Sequence, residues 1–456
     1  MQTRVIGIDL AVTASHKAIV LDPASNEFLG RPRSFRSHPA EMDHIWEWAH
    51  QDTHEPVQVV VICEATGMAW YPVCVYFSDR GARVYRVHGR KTRDLRRVLK
   101  RHAGSDRIDS RVLAQLYAVV GKYLDPWRLP TGDQLALQRA CREWDSWRSV
   151  DVAIQNRLQA YDQWAWGGLT RLIPVGALNW MRKNWYDPWR VEDAGSTALT
   201  KAWQEAYPEQ AASTDWIPAL VDRAAEMTTL YRLPKRVGYA DLQARMQREL
   251  AMQAQIREAR RELSRTHIQP VYRQLCPERH LETIYGVGAD SAAIYIAFIQ
   301  DIARFRSVER FRSWCGIIPA SHQSGDFEAK HMPLTQAGPN LVKATLYVNA
   351  NIARQWDVQF AALYYRQMVE YGKHHTQAIC ACASHLASRI YTLLKQQRPY
   401  ELRDLDQQPI TSEQSRDLCL TRYRVSPEVR RRTSVGARKQ RVQKRTEQHF
   451  LEHQPT

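Results

Sequence analysis

The run Val57–Cys63 (VQVVVIC) is the feature that most constrains the fold of this chain. A short, continuous and largely β-branched run is typical of a strand that is buried on both faces of a sheet. Two further short runs, Val5–Leu10 and Lys17–Leu21, flank the segment AVTASH and predict two strands joined as a hairpin. These runs alternate with amphipathic stretches, so residues 1–125 are predicted to form an α/β domain.

Two long helices are predicted within residues 126–270. Residues 135–164 have helical periodicity and no glycine or proline, and about residues 238–268 are again rich in helix formers. The two helices would pair as an antiparallel or an intermolecular coiled coil. An insertion at about 171–235 separates them and contains five dispersed tryptophans. These indoles either form a subdomain core or stack on unpaired bases, and the core interpretation is favoured.

The last two predicted regions are a mainly helical domain at 271–395 and a basic tail at 396–456. Ten lysines and arginines lie between Arg422 and Thr456, against three glutamates. Such a run is either a solvated tail or a contact surface for nucleic acid. Because the whole chain is basic, the contact surface for nucleic acid is the favoured interpretation.

The charge balance indicates a polyanionic partner. The chain has 64 lysines and arginines against 48 aspartates and glutamates, a formal net charge of +16. Nucleic acid is the first candidate and an anionic membrane surface the second. There is no apolar run of about 18 residues and no signal-peptide pattern, so we expect a cytoplasmic protein without membrane contact.

The eight cysteines show no CxxC spacing and are expected to be thiols. One stretch crowds metal-binding residue types together: His374, His375, Cys380, Cys382 and His385. A zinc site there is disfavoured, because only some of these residues share a helix face and no second motif completes a tetrahedron.

Four acidic residues are placed where they could share one site. Asp9 ends the run VIGID, Glu64 directly follows VQVVVIC, and Asp106 and Asp109 lie three residues apart in GSDRIDSRVLAQL. Strand-end acids meet at the carboxyl edge of a sheet, and residues at i and i+3 share a helix face. Taken alone, each acid is as well explained as a helix cap or a surface residue as it is by a functional role. Together they would need a cation, and oxygen ligands suit Mg²⁺ or Mn²⁺, which serve phosphoryl transfer.

A basic stretch lies beside these acids at residues 90–111. Its cationic residues are Arg90, Lys91, Arg93, Arg96, Arg97, Lys100, Arg101, Arg107 and Arg111. A basic helix next to a metal site would suit a phosphate backbone.

A second polar region lies in the predicted C-terminal domain. IYGVGADSAAIYIA indicates a two-glycine turn that opens into a helix, which either presents N–H groups to a phosphate or makes a tight helix–helix turn. Further on, Ser324–Gly325 lies at the centre of a polar, turn-rich segment. The local sequence alone predicts only a turn there.

These motifs follow the order of a known family. GIDLAVTASHKAIVLD, ICEATG and KRHAGSDRIDSRVLAQL resemble the RuvC-like (ribonuclease-H-like) domain of the DEDD insertion-sequence transposases, the "one-ten" family also described as bridge-RNA-guided recombinases. The later order GVG, ARF, CGIIP, HQSG and TQAGPNLVKATL is similar to that family's transposase domain. The resemblance covers roughly residues 1–165 and 238–395.

The resemblance implies a metal site and a nucleophile. It assigns the four family acids, which bind Mg²⁺ (Mn²⁺ is the alternative), to Asp9, Glu64, Asp106 and Asp109. It assigns the serine of the family's SG motif, which attacks a DNA phosphate and forms a covalent phosphoserine, to Ser324. FIQD at 298–301 departs from the family's usual sequence but includes no proposed catalytic residue.

The implied function is that of a DNA transposase or site-specific recombinase guided by a structured non-coding RNA. It would act on donor and target DNA as a homodimer or homotetramer, associated with the nucleoid of a bacterial or archaeal cell. One alternative is a RuvC-like junction-resolving endonuclease that uses water and leaves Ser324 idle. Another is a non-catalytic nucleic-acid-binding protein with structural acids. An actin-like sugar kinase is disfavoured, because no later glycine motif for adenosine or phosphate follows.

Overall fold

The computed structural model describes residues 2–53, 55–98, 106–170, 172–210, 213–318, 323–324, 327–328, 334–335, 337–434 and 436. The chain divides into two compact units, residues 1–131 and 132–456. The first is an α/β unit, and the second is mostly helical.

The first unit is built on a mixed sheet. Its strands are β1 (Gln2–Asp9), β2 (His16–Asp22), β3 (Glu27–Phe28), β4 (Arg33–Phe35), β5 (Val57–Glu64) and β6 (Arg83–Val87). The strand order is β3-β2-β1-β5-β6, and β4 also pairs with β2. β1 is antiparallel to β2 and parallel to β5, and β5 is parallel to β6. The strands predicted from the apolar runs are confirmed, and β5 is buried from Val59 to Cys63.

The described part of the first unit has the helices α1 (Pro39–Ala49), α2 (Trp70–Asp79), α3 (Gly89–Val98) and α4 (Asp106–Val120). Helices α1, α2 and α4 pack against the strands, and α3 packs against α4. α1 and α2 contribute Trp48 and Phe77 to one core with the strands. Because β1 and β5 have buried residues at consecutive positions, they lie in the middle of the layered unit.

The second unit is organised by one long helix, α5 (Gly132–Trp166). It is followed by α6 (Val175–Asn184), α7 (Pro188–Ala206), α8 (Ile217–Tyr231) and α9 (Tyr239–Leu263). α5 and α9 pack antiparallel: Arg157 forms a two-bond ion pair with Glu249 at 2.8 Å, while Asp151 accepts a 2.7 Å hydrogen bond from Gln253. The two predicted long helices therefore pair within one chain, and coiled-coil packing stays a prediction.

The tryptophan-rich insertion has a core of its own, to which the second half of α5 contributes Ile154 and Leu158. Trp180, Trp203 and Trp216 are buried in it with ring centroids 5.3 to 6.3 Å apart. Edge-to-face packing of this kind makes a compact apolar centre. The structure thus supports the core interpretation of these side chains.

The rest of the second unit surrounds another core. Its elements are α10 (Gln269–Leu275), α11 (Ala289–Ile299), α12 (Val308–Cys315), β7 (Gln323–Ser324), β8 (Phe327–Glu328), α13 (Asn340–Ala353), α14 (Val358–Tyr365), α15 (His375–Gln396), α16 (Ser412–Thr421) and α17 (Pro427–Arg432). The start of the basic segment is folded onto this core: Ser415 is buried and bonds Val358 N and Trp356 O, and Val425 is a core residue.

All eight cysteines are free thiols, as the sequence predicts. No helix in the described part of the chain is long and apolar enough to cross a lipid bilayer.

Candidate functional site

Asp9 and Glu64 end neighbouring strands at one edge of the sheet. Asp9 is the last residue of β1 and Glu64 the last of β5. The parallel register pairs Ile8 with Cys63, so the next residue on each strand is one of the two acids. Strand pairing thus brings these two predicted site residues to the same edge, as expected for parallel strands.

Helix α4 is pressed directly onto β1 at Gly7. A Cβ on Gly7 would overlap the carbonyl oxygen of Ser110 and lie 2.5 Å from the amide nitrogen of Ala114. Only glycine allows so close an approach of helix and strand. Asp109, which precedes Ser110, is therefore carried on a helix fixed to the strand that ends in Asp9.

Asp109 forms an ion pair with Arg96 of α3, and both side chains are about three-quarters buried. Asp106 is the first residue of α4, but its side chain lies outside what the structure describes. Among the described side chains, no three or more histidines, cysteines, aspartates or glutamates lie close enough to hold a metal ion. Among the described side chains, Arg96 is therefore one close charged partner of Asp109.

Glu64 lies next to the start of α3. A Cβ on Gly89, the first residue of that helix, would come within 2.9 Å of Glu64 Oε2. A carboxylate near a helix N-terminus is favoured by the helix dipole. Sequence reasoning did not identify Gly89, although a glycine close to the end of a strand, here two residues after β6, can mark a place of close approach.

The basic stretch has two kinds of residue. Lys91, Arg93 and Arg97 are exposed on α3, where they can meet solvent or a polyanion. Arg96 faces Asp109, and the Arg111 guanidinium carbon lies 5.4 Å from the centre of the Phe28 ring. Part of the predicted phosphate-binding set is thus used inside the unit.

Ser324 lies in a short hairpin of the second unit. β7 and β8 are antiparallel, with Ser324 opposite Phe327 and Gln323 opposite Glu328. Gly325 and the Ser324 side chain lie outside the described residues.

Two glycines lie where the two ends of the segment that contains Ser324 come together. We call this place the neck and define it as Gly316, Gly338 and the hydrogen bond from Thr335 N to Ile318 O at 2.9 Å. Gly316 ends α12 at φ +68°, where a Cβ would overlap Ala337 O. Gly338 is also at φ +68°, and a Cβ there would overlap Trp314 O. Both conformations favour glycine, and neither site has room for a side chain. The neck therefore fixes both ends of the segment that contains Ser324.

The two-glycine turn before α11 is confirmed, and it packs on α13. Gly286 has φ +88°, and a Cβ there would lie 2.7 Å from Asn349 O. Buried Asn349 donates to Gly286 O and accepts a 2.6 Å bond from the Tyr295 hydroxyl. These contacts support the tight-turn interpretation of this motif.

Two protein-family sequence models match this chain. One, described as the transposase IS116/IS110/IS902 family, matches residues 278–366. The other, a DEDD model described as a transposase, matches residues 6–161. The first range contains the neck and Ser324, and the second contains all four predicted acids.

Individual relatives match about a quarter of the chain. Pilin gene-inverting proteins of Moraxella lacunata and Moraxella bovis are each 27% identical over 123 residues, which is 27% of this chain and 38% of the relative. An uncharacterized 43.6 kDa protein of insertion element IS110 from Streptomyces coelicolor is 27% identical over 124 residues, or 27% of this chain and 30% of that protein. The match thus spans well under half the length of these relatives.

Proposed function

We propose that this chain, which belongs to the IS116/IS110/IS902 family of transposases, cuts and rejoins DNA strands as a transposase or site-specific recombinase. The observation that carries the proposal is the placement of Asp9 and Glu64 on adjacent parallel strands, beneath a helix that begins with Asp106 and carries Asp109. The pilin gene-inverting relatives support DNA rearrangement as the reaction class.

The first unit is proposed to be RuvC-like. An antiparallel group next to two parallel strands, in the order β3-β2-β1-β5-β6, is consistent with that fold. The order leaves the carboxyl ends of β1 and β5 side by side, which suits an acidic site at that edge.

Asp9, Glu64, Asp106 and Asp109 would hold Mg²⁺, with Mn²⁺ as the alternative, because carboxylate oxygens are the ligands these cations prefer. Once bound, the cation would polarise the phosphate and stabilise the developing negative charge. Arg96 supplies positive charge beside Asp109, so this arginine would have to release the carboxylate for metal ligation.

Ser324 is proposed as the nucleophile. Its Oγ forms a bond to phosphorus while one phosphorus–oxygen bond of the DNA strand breaks, so the leaving oxygen takes up a proton and becomes a hydroxyl. The serine proton passes to a base. The phosphoserine keeps the phosphodiester bond energy, and reversal with another strand's hydroxyl rejoins DNA without an external energy source. The neck would orient the segment for this attack, because both of its ends are fixed to helices α12 and α13.

The proposed partners are donor and target DNA, a structured guide RNA and further copies of this chain, in the cytoplasm and in association with the nucleoid. The net charge of +16 supports the nucleic-acid partners.

Strand cleavage by acid variants tests the proposal. Full-length protein is incubated with Mg²⁺, DNA containing the ends of its element, and RNA transcribed from the sequence flanking its gene. We expect Asp9→Asn and Glu64→Gln to lose cleavage while they still bind DNA. The matched control Asp94→Asn removes an exposed acid of α3 and should cleave normally. Equal cleavage by all three variants would contradict the proposal and favour structural acids.

A further inference from the structure

We propose that Arg354, His375 and Arg430 form a binding site for a phosphodiester group of a nucleic-acid backbone. The three residues come from separate elements of the second unit: the end of α13, the start of α15 and the middle of α17. The inference rests on the proposed function only in taking a nucleic acid as the partner. None of the three residues belongs to the proposed acidic site or to the neck.

Buried Tyr364 positions two of the three groups, Arg354 and His375. The guanidinium carbon of Arg354 lies 4.3 Å from the centre of the Tyr364 ring. The Tyr364 hydroxyl lies 2.7 Å from Nδ1 of His375. In the tautomer in which this hydroxyl donates to Nδ1, the Nε2–H of His375 is the donor left for a ligand.

The third group, Arg430, is placed by the docking of the C-terminal segment. Val425 is buried in the core, and Val429 packs against it. Ser426 caps α17 by accepting from Val429 N at 3.3 Å, and α17 packs against residues 366–370. Arg430 is thus held on a folded helix, although its own side chain is exposed.

These groups crowd charge of one sign. Burial lowers the pKa of His375, and the charges of Arg354, Arg430 and His374 lower it further. Burial also lowers the pKa of Arg354, with Arg430 adding to the effect. Each positive charge therefore raises the free-energy cost of protonating its neighbours, and a bound anion would reduce that cost.

No carboxylate neutralises this cluster in the described part of the chain. Neither Arg354 nor Arg430 forms an ion pair there with an acid. The buried carboxylate of Asp357, at the start of α14, is engaged by Arg389 at 2.8 Å and by Tyr400 at 2.6 Å.

The neighbouring residues favour a chain of phosphates over a single small anion. Arg422, Arg424 and Arg431 are exposed on the same docked segment and extend the positive surface beyond the cluster. A nucleic-acid backbone repeats its charge and could follow such a surface. DNA and RNA share this phosphodiester chemistry, so the experiment carries one arm for each.

The salt dependence of binding tests the site. Full-length Arg354→Gln/Arg430→Gln is titrated with a fluorescein-labelled random-sequence DNA duplex and, separately, with a labelled single-stranded RNA. The slope of log K against log salt is negative, and each lost phosphate contact should reduce its magnitude by about 0.9 on the duplex and about 0.7 on the single strand. Because both arginines are proposed to bind one phosphodiester group, the double variant should lose about one such contact, or roughly 0.9 on the duplex or 0.7 on the single strand, on at least one of the two ligands.

The control double variant Arg261→Gln/Arg403→Gln removes the same charge from two ion-paired arginines and should keep the wild-type slope. Arg430→Gln alone changes an exposed residue and should show half of the effect with an unaltered Tm. A less steep slope of the double variant on DNA assigns the site to DNA, and a less steep slope on RNA assigns it to RNA. Wild-type slopes on both would overturn the inference, even in a protein that forms the Ser324 adduct. A less steep slope of the double variant, together with a wild-type protein that forms no Ser324 adduct, would support the site and reject the proposed strand transfer.

Discussion

Gly7 of β1 and Ser110 of α4 are in direct backbone contact, since a Cβ on Gly7 would overlap the Ser110 carbonyl oxygen. This contact fixes the helix of Asp109 to the strand of Asp9. The relative position of two proposed catalytic acids thus depends on the absence of one side chain.

Replacing Gly7 by alanine should disturb both stability and cleavage. Overpacking at this contact should lower the free energy of unfolding by about 1–3 kcal/mol, and the shifted α4 should slow DNA cleavage. Chemical denaturation and the cleavage assay measure the two effects. Gly132→Ala, where nothing lies within 4 Å of the new Cβ, should change stability by at most about 0.5 kcal/mol. A Gly7→Ala protein as stable and active as wild type would contradict this account of α4.

Gly316→Ala should loosen the neck. Both φ +68° and the overlap with Ala337 O oppose a side chain, so the bond from Thr335 N to Ile318 O should weaken. Hydrogen exchange at Thr335 should accelerate, and strand transfer at saturating DNA should slow while DNA affinity is unchanged. Gly372 has a similar φ of +57°, but nothing lies within 4 Å of a Cβ there. The Gly372→Ala variant therefore measures the effect of the positive φ alone. Equal effects of the two substitutions would mean that the neck contact is unimportant.

Arg96→Gln should strengthen binding of a divalent cation to the acidic site. Removing the guanidinium takes away one cation that competes with a metal for Asp109. Titration with Mn²⁺, followed by electron paramagnetic resonance, measures the change in affinity. Arg97→Gln removes the same charge from the exposed side of α3, where it lies 3.9 Å from Asp94, and should have a smaller effect. Unchanged Mn²⁺ affinity in Arg96→Gln would argue against Asp109 as a ligand.

Arg182→Met should destabilise the tryptophan-rich core. Arg182 pairs with buried Asp162 at 2.5 Å, and the Tyr186 hydroxyl donates to the same carboxylate. Burial raises the pKa of Asp162, and Arg182 opposes that rise. Loss of the arginine should cost about 3–5 kcal/mol near neutral pH, as measured by tryptophan fluorescence in urea. The loss should shrink as the pH falls, because a protonated Asp162 needs no counter-charge. A pH-independent loss would contradict this explanation.

Local sequence predicted much of the first unit, because β-branched runs and strand-end acids report directly on a buried sheet. The sequence could not predict that α4 packs against Gly7 or that Arg96 forms an ion pair with Asp109. Both contacts depend on which elements of the fold pack together. The neck likewise joins Gly316 and Gly338 only through tertiary contact. Periodicity left the antiparallel and the intermolecular pairing of the two long helices open, and the contacts Arg157–Glu249 and Asp151–Gln253 within one chain decide between them.

The most direct test of the central claim is whether Ser324 becomes covalently attached to DNA. Wild-type protein, incubated with its RNA, Mg²⁺ and labelled DNA containing the element ends, is separated on a denaturing gel. We predict labelled DNA that migrates with the protein for wild type and for the control Ser321→Ala, and none for Ser324→Ala. Cleaved DNA without attached protein, or an adduct that persists in Ser324→Ala, would contradict the phosphoserine mechanism.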